Sequence, residues 1–196
     1  MDFLFDIGNV IIGVDFQPAL SKLIPAEVSD PESRFNALIE RKDDFEAGRI
    51  EPDEYFTWAA EKLGFQGTQE AFLSAWLDIF EPNTIMWSTI EKLHAAGHRL
   101  ILFSNINNPH KDHLIQNHPI FEKFEGGVFS YQTGHIKPEA EIYQLTIDQW
   151  QLVPEQTAYI DDLPANIAAG QKAGFICHQY DVARHDDFLS WLAEIV

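Results

Sequence analysis

Basic residues are scarce in this chain: 13 lysines and arginines stand against 31 aspartates and glutamates in 196 residues, for a formal net charge of −18 at pH 7. No basic run exists that could track a phosphate backbone or an anionic membrane, so nucleic acid is excluded as an expected partner. Cysteine occurs once, as Cys177 in the apolar run Phe175-Ile176-Cys177. An intramolecular disulfide is thereby excluded, a reducing compartment suits the chain, and a buried structural thiol is the expectation. No apolar run approaches the roughly 20 residues that a bilayer crossing needs, and no basic segment precedes an apolar one at the N-terminus. A cytoplasmic protein without a membrane partner is the expectation.

Hydrophobic residues make up 45% of the chain and aromatics 13%, without repeats or low-complexity tracts, which describes a globular protein. The length suits one domain with a modest insertion. Short runs apolar on both faces recur at Phe3–Phe5, Arg99–Phe103, Gly127–Phe129, Thr157–Ile160 and Gly174–Cys177, as buried strands require. Helix-period segments lie between them at Thr84–Ala96, Pro138–Trp150 and Pro164–Ala173. Alternation of this kind predicts a doubly wound α/β fold, with a parallel sheet covered on both faces.

From about Phe16 to Pro82 the pattern breaks. Helical stripes occur there (Tyr55, Phe56, Ala59, Ala60 and Leu63, then Phe72, Leu73, Trp76 and Leu77), but no buried strand is expected. The predicted organisation is a core of residues 1–15 and 83–196 with a small helical cap, 16–82, inserted after the first strand. An insertion at that point emerges at the carboxyl edge of the sheet, where open α/β folds bind ligands, and so is a candidate lid. Phe45, Glu46, Arg49 and Tyr55 are its plausible substrate-facing residues.

Three predicted strands end in polar groups: Asp6, then Ser104 and Asn105, then the pair Asp161 and Asp162. Lys137 lies in a turn just before a helix. In a parallel sheet these positions share one edge and converge, although they are far apart in sequence. Carboxylates so close raise one another's pKa unless a cation sits among them, and oxygen ligands with open positions suit Mg²⁺. A divalent ion beside a lysine makes a pocket for a dianion, with Ser104 and backbone N–H groups available to its oxygens. A small-molecule phosphate monoester is the expected partner.

The segments FDIGNVI, FSN, GHIKPEAEIY and YIDDLPANIAAG resemble, in order and spacing, the four motifs of the haloacid dehalogenase superfamily of hydrolases. Within it the sequence looks most like bacterial phosphatases of the α-D-glucose-1-phosphate type and the N-terminal phosphatase domain of soluble epoxide hydrolase. The resemblance implies a Rossmann-like core of strand order 3-2-1-4-5, or an extension of it, and an Mg²⁺-dependent phosphatase acting on small phosphorylated metabolites, sugar phosphates first among them.

It also implies roles. Asp6 would attack phosphorus and carry an aspartyl-phosphate intermediate, Ser104 would bind the transferring group, and Lys137 would hold both together. Asp6, the Gly8 carbonyl, Asp162 and Asp161 would form the metal site, with Asp162 a direct ligand and Asp161 supporting it. Asn166 would orient that ligand or a water. Asn105, Lys137, His135 and Arg49 are the candidate substrate contacts. Plainer alternatives are a turn cap for Asn105 and solvated loop positions for His135, His110 and Arg49.

The chain departs from the family pattern at Gly8, where most of its phosphatases carry a second aspartate as general acid, a role worth about 10²–10⁴ in rate. An anomeric sugar phosphate needs that acid least. Were another side chain to donate the proton, His135 is the first suspect. Two other readings follow from the same gap: a protein that binds a phosphorylated ligand without turnover, and, ranked below it, a metal-free 2-haloacid dehalogenase.

Overall fold

The first apolar run lies at the centre of the molecule. In the computed structural model, which describes residues 1–26 and 30–196, the chain opens with β1 (Asp2–Phe5) and a short β2 (Ile12–Val14). Residues 27–29, within the stretch read as the insertion, lie outside the described residues. Four helices follow, α1 (Gln17–Leu23), α2 (Pro31–Glu46), α3 (Pro52–Leu63) and α4 (Gln69–Leu77), and then β3 (Phe80–Pro82). The remainder alternates: α5 (Thr84–Ala95), β4 (Arg99–Ser104), α6 (Asn108–Asn117), β5 (Gly126–Phe129), the single turn α7 (Ser130–Thr133) and α8 (Ala140–Trp150). It closes with β6 (Thr157–Asp161), α9 (Pro164–Lys172), β7 (Ile176–Gln179) and α10 (His185–Ile195).

Five strands form one parallel sheet in the order β5-β4-β1-β6-β7, which is the expected 3-2-1-4-5. Successive strand residues face opposite sides, so each central strand feeds two cores. Phe3, Phe5, Leu100, Leu102 and Ile160 pack with Met86 and Ile90 of α5, Leu114 of α6 and Phe188 of α10. Leu4, Ile101, Phe103 and Tyr159 pack on the other side with Ile142 and Tyr143 of α8 and Ile167 of α9. The last strand begins two residues later than Gly174, because the Phe175 N–H donates to the Gly170 carbonyl at 3.0 Å and closes α9 first.

Local chemistry sets several helix starts. Asn83 and Asn107 accept from the backbone N–H groups of Met86 and His110, capping α5 and α6. Thr68 caps α4 in the same way through the Ala71 N–H.

The helices α1 to α4 pack around a cluster of their own, centred on Leu38, Phe45, Tyr55, Phe56, Phe72 and Trp76. The chain reaches them through β2 and returns through β3, and these two strands pair antiparallel, with Ile12 opposite Pro82 and Val14 opposite Phe80. The stretch expected to hold no buried strand does contain β3, but its three residues are half-buried at best, which gives periodicity nothing to detect.

Candidate active site

Strands β4, β1 and β6 are neighbours and run in one direction, so their carboxyl ends deliver Ser104, Asp6 and Asp161 to one place. Asp6 leaves β1 with its N–H still donating to the Ile160 carbonyl at 2.9 Å, which fixes it beside the end of β6. Lys137 enters from the loop before α8. Its Nζ lies 2.9 Å from Asp6 Oδ1, 2.6 Å from Asp161 Oδ2 and 2.8 Å from the Phe103 carbonyl. Only 3% of Lys137 is exposed.

Asp161 is fully buried and surrounded by donors. Its Oδ2 accepts from Lys137 and, at 2.6 Å, from the Tyr159 hydroxyl. Its Oδ1 accepts from the Leu163 N–H at 2.9 Å, and Asn166 Nδ2 donates to the two oxygens at 3.0 and 3.1 Å. Asp161, expected in the metal site, thus spends both oxygens on the protein. Asn166, expected to orient Asp162, is aimed at Asp161 instead. Asp162 is half-buried, and its Oδ2 accepts from Asn9 Nδ2 at 3.1 Å.

Sequence reasoning missed two of these residues. Tyr159 stands two positions before Asp161 in one strand, and period-two geometry puts both side chains on one face, a signal that was present. Asn9 follows Gly8 at φ 53°, a left-handed conformation that asparagine tolerates better than most residues. Its Oδ1 takes the Val14 N–H at 3.3 Å, so its amide nitrogen is free to point at Asp162.

Three carboxylates share one ammonium here. Burial pushes the Asp6 carboxyl up to about 6 against the pull of Lys137, and Asp161 adds repulsion. Burial also works against ionisation of Asp161, but Lys137, Tyr159 and the Leu163 N–H outweigh it and hold that carboxyl below the ordinary range. Asp162 is raised, chiefly by burial. Burial alone would lower Lys137, yet the two carboxylates beside it lift it above the usual lysine value. Asp161 takes the tighter share of the pair, leaving Asp6 and Asp162 undercompensated.

That undercompensation fits a cation. One oxygen from each of Asp6, Asp161 and Asp162 lies within 4.8 Å of the others. Asp6 Oδ1 sits in ion-pair contact with Lys137 but, among the described residues, receives no directed hydrogen bond. Hard oxygen donors with a buried, unsatisfied lone pair suit Mg²⁺.

Above this edge opens a cavity of about 390 Å³. Asp6, Gly8, Ser104, Asn105, Lys137, Asp162 and Asn166 line its floor, and Phe45, Glu46 and Tyr55 line it from α2 and α3. Asn105 reaches the floor, but its amide is committed to Lys137: Nδ2 donates to the Lys137 carbonyl at 2.8 Å and Oδ1 accepts the Lys137 N–H at 2.7 Å. Expected as a substrate contact, it holds the lysine.

Two other expected contacts fall outside the cavity lining. Arg49 Nη1 pairs with Asp44 at 3.0 Å and Nη2 donates to the Gly134 carbonyl at 3.0 Å. His135 Nδ1 lies 3.1 Å from Glu139 Oε2. His110 is no solvated loop residue: it is 7% exposed, stacked on Trp76 at 5.5 Å and edge-on to Phe80 at 4.9 Å. Its Nε2 faces the Trp76 carbonyl at 3.3 Å and its Nδ1 faces Asn107 Nδ2 at 3.0 Å, the pattern of a neutral ring that donates through Nε2. Burial lowers its pKa to about 3.

The family model described as haloacid dehalogenase-like hydrolase matches residues 3–174. A D-ribitol-5-phosphate phosphatase of Bacteroides thetaiotaomicron is 27% identical over 185 residues, covering 89% of this chain and 88% of that one. A sesquiterpene phosphatase of Aspergillus oryzae is 25% identical over 174 residues, covering 88% and 86%. Among solved structures, a Bacteroides thetaiotaomicron enzyme of this family, crystallised with magnesium and inorganic phosphate, superposes with a TM-score of 0.83 at 23% identity, covering 96% of this chain and 98% of that one.

Proposed function

Because the chain belongs to the haloacid dehalogenase-like hydrolases, we propose that it is an Mg²⁺-dependent phosphatase that opens phosphate monoesters through a covalent intermediate on Asp6. The observation that carries this reading is the position of Lys137, whose ammonium bridges Asp6 and Asp161 at the floor of the cavity. Two relatives named as phosphatases, and a structural relative crystallised with magnesium and phosphate, support it.

In this reading Asp6 attacks phosphorus in line, and the bond from phosphorus to the alcohol oxygen breaks. Lys137 holds Asp6 ionised and cancels charge on the phosphoryl oxygens. The Ser104 hydroxyl, at the end of β4, donates to the same group. Asp161, Tyr159 and Asn166 fix the lysine rather than touch the substrate. Asp6, the Gly8 carbonyl and Asp162 would hold Mg²⁺, which when bound supplies charge neutralisation and orients the phosphate.

The walls above the phosphate end speak to the alcohol. They are formed by Phe16, Phe35, Leu38, Phe45, Trp76 and Phe80. Two of the polar groups among them are already committed, His110 to Asn107 and Trp76, and the Tyr55 hydroxyl to the Leu38 carbonyl, which leaves the Trp76 Nε1 and one oxygen of Glu46 as the polar groups without a partner among the described residues. A polyol hydroxyl buried there without a partner costs about 1–3 kcal/mol, whereas apolar surface gains about 25 cal/mol per Å². An alcohol with substantial apolar surface is therefore the favoured substrate, in line with the sesquiterpene phosphatase relative. The second reading, a sugar or sugar-alcohol phosphate, has the ribitol-phosphate relative behind it.

The experiment is phosphate release from an aryl phosphate, an isoprenoid or alkyl phosphate and a sugar-phosphate panel, with Mg²⁺ and with chelator. The expected result is turnover that needs Mg²⁺ and is abolished in Asp6→Asn. Phosphate binding without turnover on any substrate, or halide release from a haloacid that persists in chelator, overturns the phosphatase reading.

A further inference from the structure

Position 8 carries no acid, yet the structure leaves room for one: a Cβ built on Gly8 would meet only Val14 Cγ2, at 3.7 Å. The cavity must therefore find its proton elsewhere, and its lining has few titratable groups. Asp6 and Asp162 are committed to phosphorus and metal in the reading above. Lys137 is held charged between two carboxylates. His110 has both ring nitrogens engaged. Tyr55 carries a phenol raised far above its usual range by burial, and its hydroxyl is turned to the Leu38 carbonyl. His135 does not line the cavity. Lys42 is half exposed at the rim. Glu46 remains.

We propose that Glu46, at the C-terminal end of α2, donates the proton to the leaving alcohol and afterwards takes one from the attacking water. The inference rests on the phosphatase reading. As Asp6 bonds to phosphorus and the alcohol oxygen departs, that oxygen takes the Glu46 proton. Water then attacks the same phosphorus, its proton passes to the Glu46 carboxylate, and the bond to Asp6 breaks. Phosphate, free Asp6 and protonated Glu46 are restored together.

Glu46 is fixed for such work although it belongs to the insertion. Its carbonyl accepts from the Ser130 hydroxyl at 2.5 Å, and the Ser130 Oγ also takes the Ile106 N–H at 3.0 Å, which ties the end of α2 to the loop after β4. Two residues on, Gly48 adopts φ 70°, and a Cβ there would fall 2.1 Å from the Tyr131 carbonyl oxygen, so only glycine allows this approach. Arg49 completes the clamp through the Gly134 carbonyl, three residues before Lys137.

The Glu46 side chain is 14% exposed. Its Oε2 accepts from Lys42 at 2.7 Å, while Oε1 makes no protein hydrogen bond among the described residues. Burial outweighs the pull of Lys42 and raises the group above the ordinary glutamate range, with Asp43 raising it further and Lys137 lowering it. Tyr55 on α3 is the other titratable group that faces it. A glutamate raised by burial holds its proton more readily than an exposed one, as a group that must both give and take a proton requires.

The test is kcat/KM of wild type and Glu46→Gln across alkyl and nitrophenyl phosphates, since this ratio reports the step in which the alcohol leaves. Glu46→Gln is expected to lower the alkyl values by about 10²–10³-fold and the nitrophenyl value by less than about tenfold. Glu46→Asp is expected to recover part of the alkyl loss. In wild type the alkyl profile should carry a basic limb that the nitrophenyl profile lacks, a readout that stands even if a variant fails to fold. Equal losses on both substrate classes, an alkyl rate untouched by Glu46→Gln, or a wild-type basic limb shared by both substrates overturns the assignment. A wild type with no turnover on any ester refutes the phosphatase reading instead.

Discussion

Asn105 and Lys137 exchange a reciprocal pair of hydrogen bonds, the side-chain amide of one against the backbone of the other at 2.7 and 2.8 Å. The lysine backbone is therefore held from the end of β4, while its ammonium is held by the Phe103 carbonyl of β4, by Asp6 just after β1 and by Asp161 at the end of β6. Three strands fix one cation.

Loss of the Asn105 amide should loosen that cation without removing it. Asn105→Ala is expected to lower kcat by about 10–100-fold, the cost typical of residues that orient a reacting group, with a much smaller change in KM. Steady-state kinetics on an aryl phosphate check this. A rise in KM at constant kcat would return Asn105 to the substrate.

Removing the ammonium leaves Asp161 fully buried beside Asp6 with no positive partner among the described residues. Lys137→Met should cost about 3–5 kcal/mol, the penalty of an orphaned buried charge, and lower Tm by roughly 6–20 °C for a chain of this size. Scanning calorimetry near neutral pH reads it, and phosphate release should vanish in the same sample.

His110 makes stability depend on acid. Its folded pKa, lowered by burial to about 3 from the ordinary 6.5, means that the unfolded chain takes up a proton in this interval while the folded chain does not. Stability should therefore fall as pH drops through that window, by up to about 1.4 kcal/mol per pH unit, with no contribution from this ring above it. His110→Phe keeps an aromatic against Trp76 and removes the proton. Urea titrations of both proteins at about pH 5 and about pH 7 should give the wild type the larger loss on acidification; parallel losses would contradict the burial.

Phe35 offers a test of the cavity walls away from the chemistry. Phe35→Ala should raise KM for an isoprenoid or alkyl phosphate by roughly 10–100-fold, from the 1.5–3 kcal/mol that burial of such a ring is worth, and leave a small sugar phosphate nearly unaffected. The opposite pattern would favour the polyol reading.

What the sequence made legible was whatever a parallel sheet imposes. Asp6, Ser104 and Asp161 each end an apolar run, and once these runs are strands of one sheet their convergence is a matter of topology. The partners of those groups were less readable. The family resemblance puts Asn166 near the acids, but whether it faces Asp161 or Asp162 depends on how the loop at Leu163 turns. Arg49 and His135 lie in turns whose place in the sequence makes them candidate substrate contacts, whereas Asp44, Gly134 and Glu139 engage them, the Gly134 carbonyl across a seam that periodicity does not encode. The two-stranded ribbon is not legible because strands of three residues each are too short to show an alternation.

That ribbon has an evolutionary corollary. Since Ile12–Val14 and Phe80–Pro82 are hydrogen-bonded neighbours, the polypeptide departs from the sheet and rejoins it at a single doorway. A transplanted helical module of different shape, spliced between those two strands, would leave the five-stranded scaffold unaltered, and new chemical selectivity could be acquired there by recombination rather than by gradual remodelling.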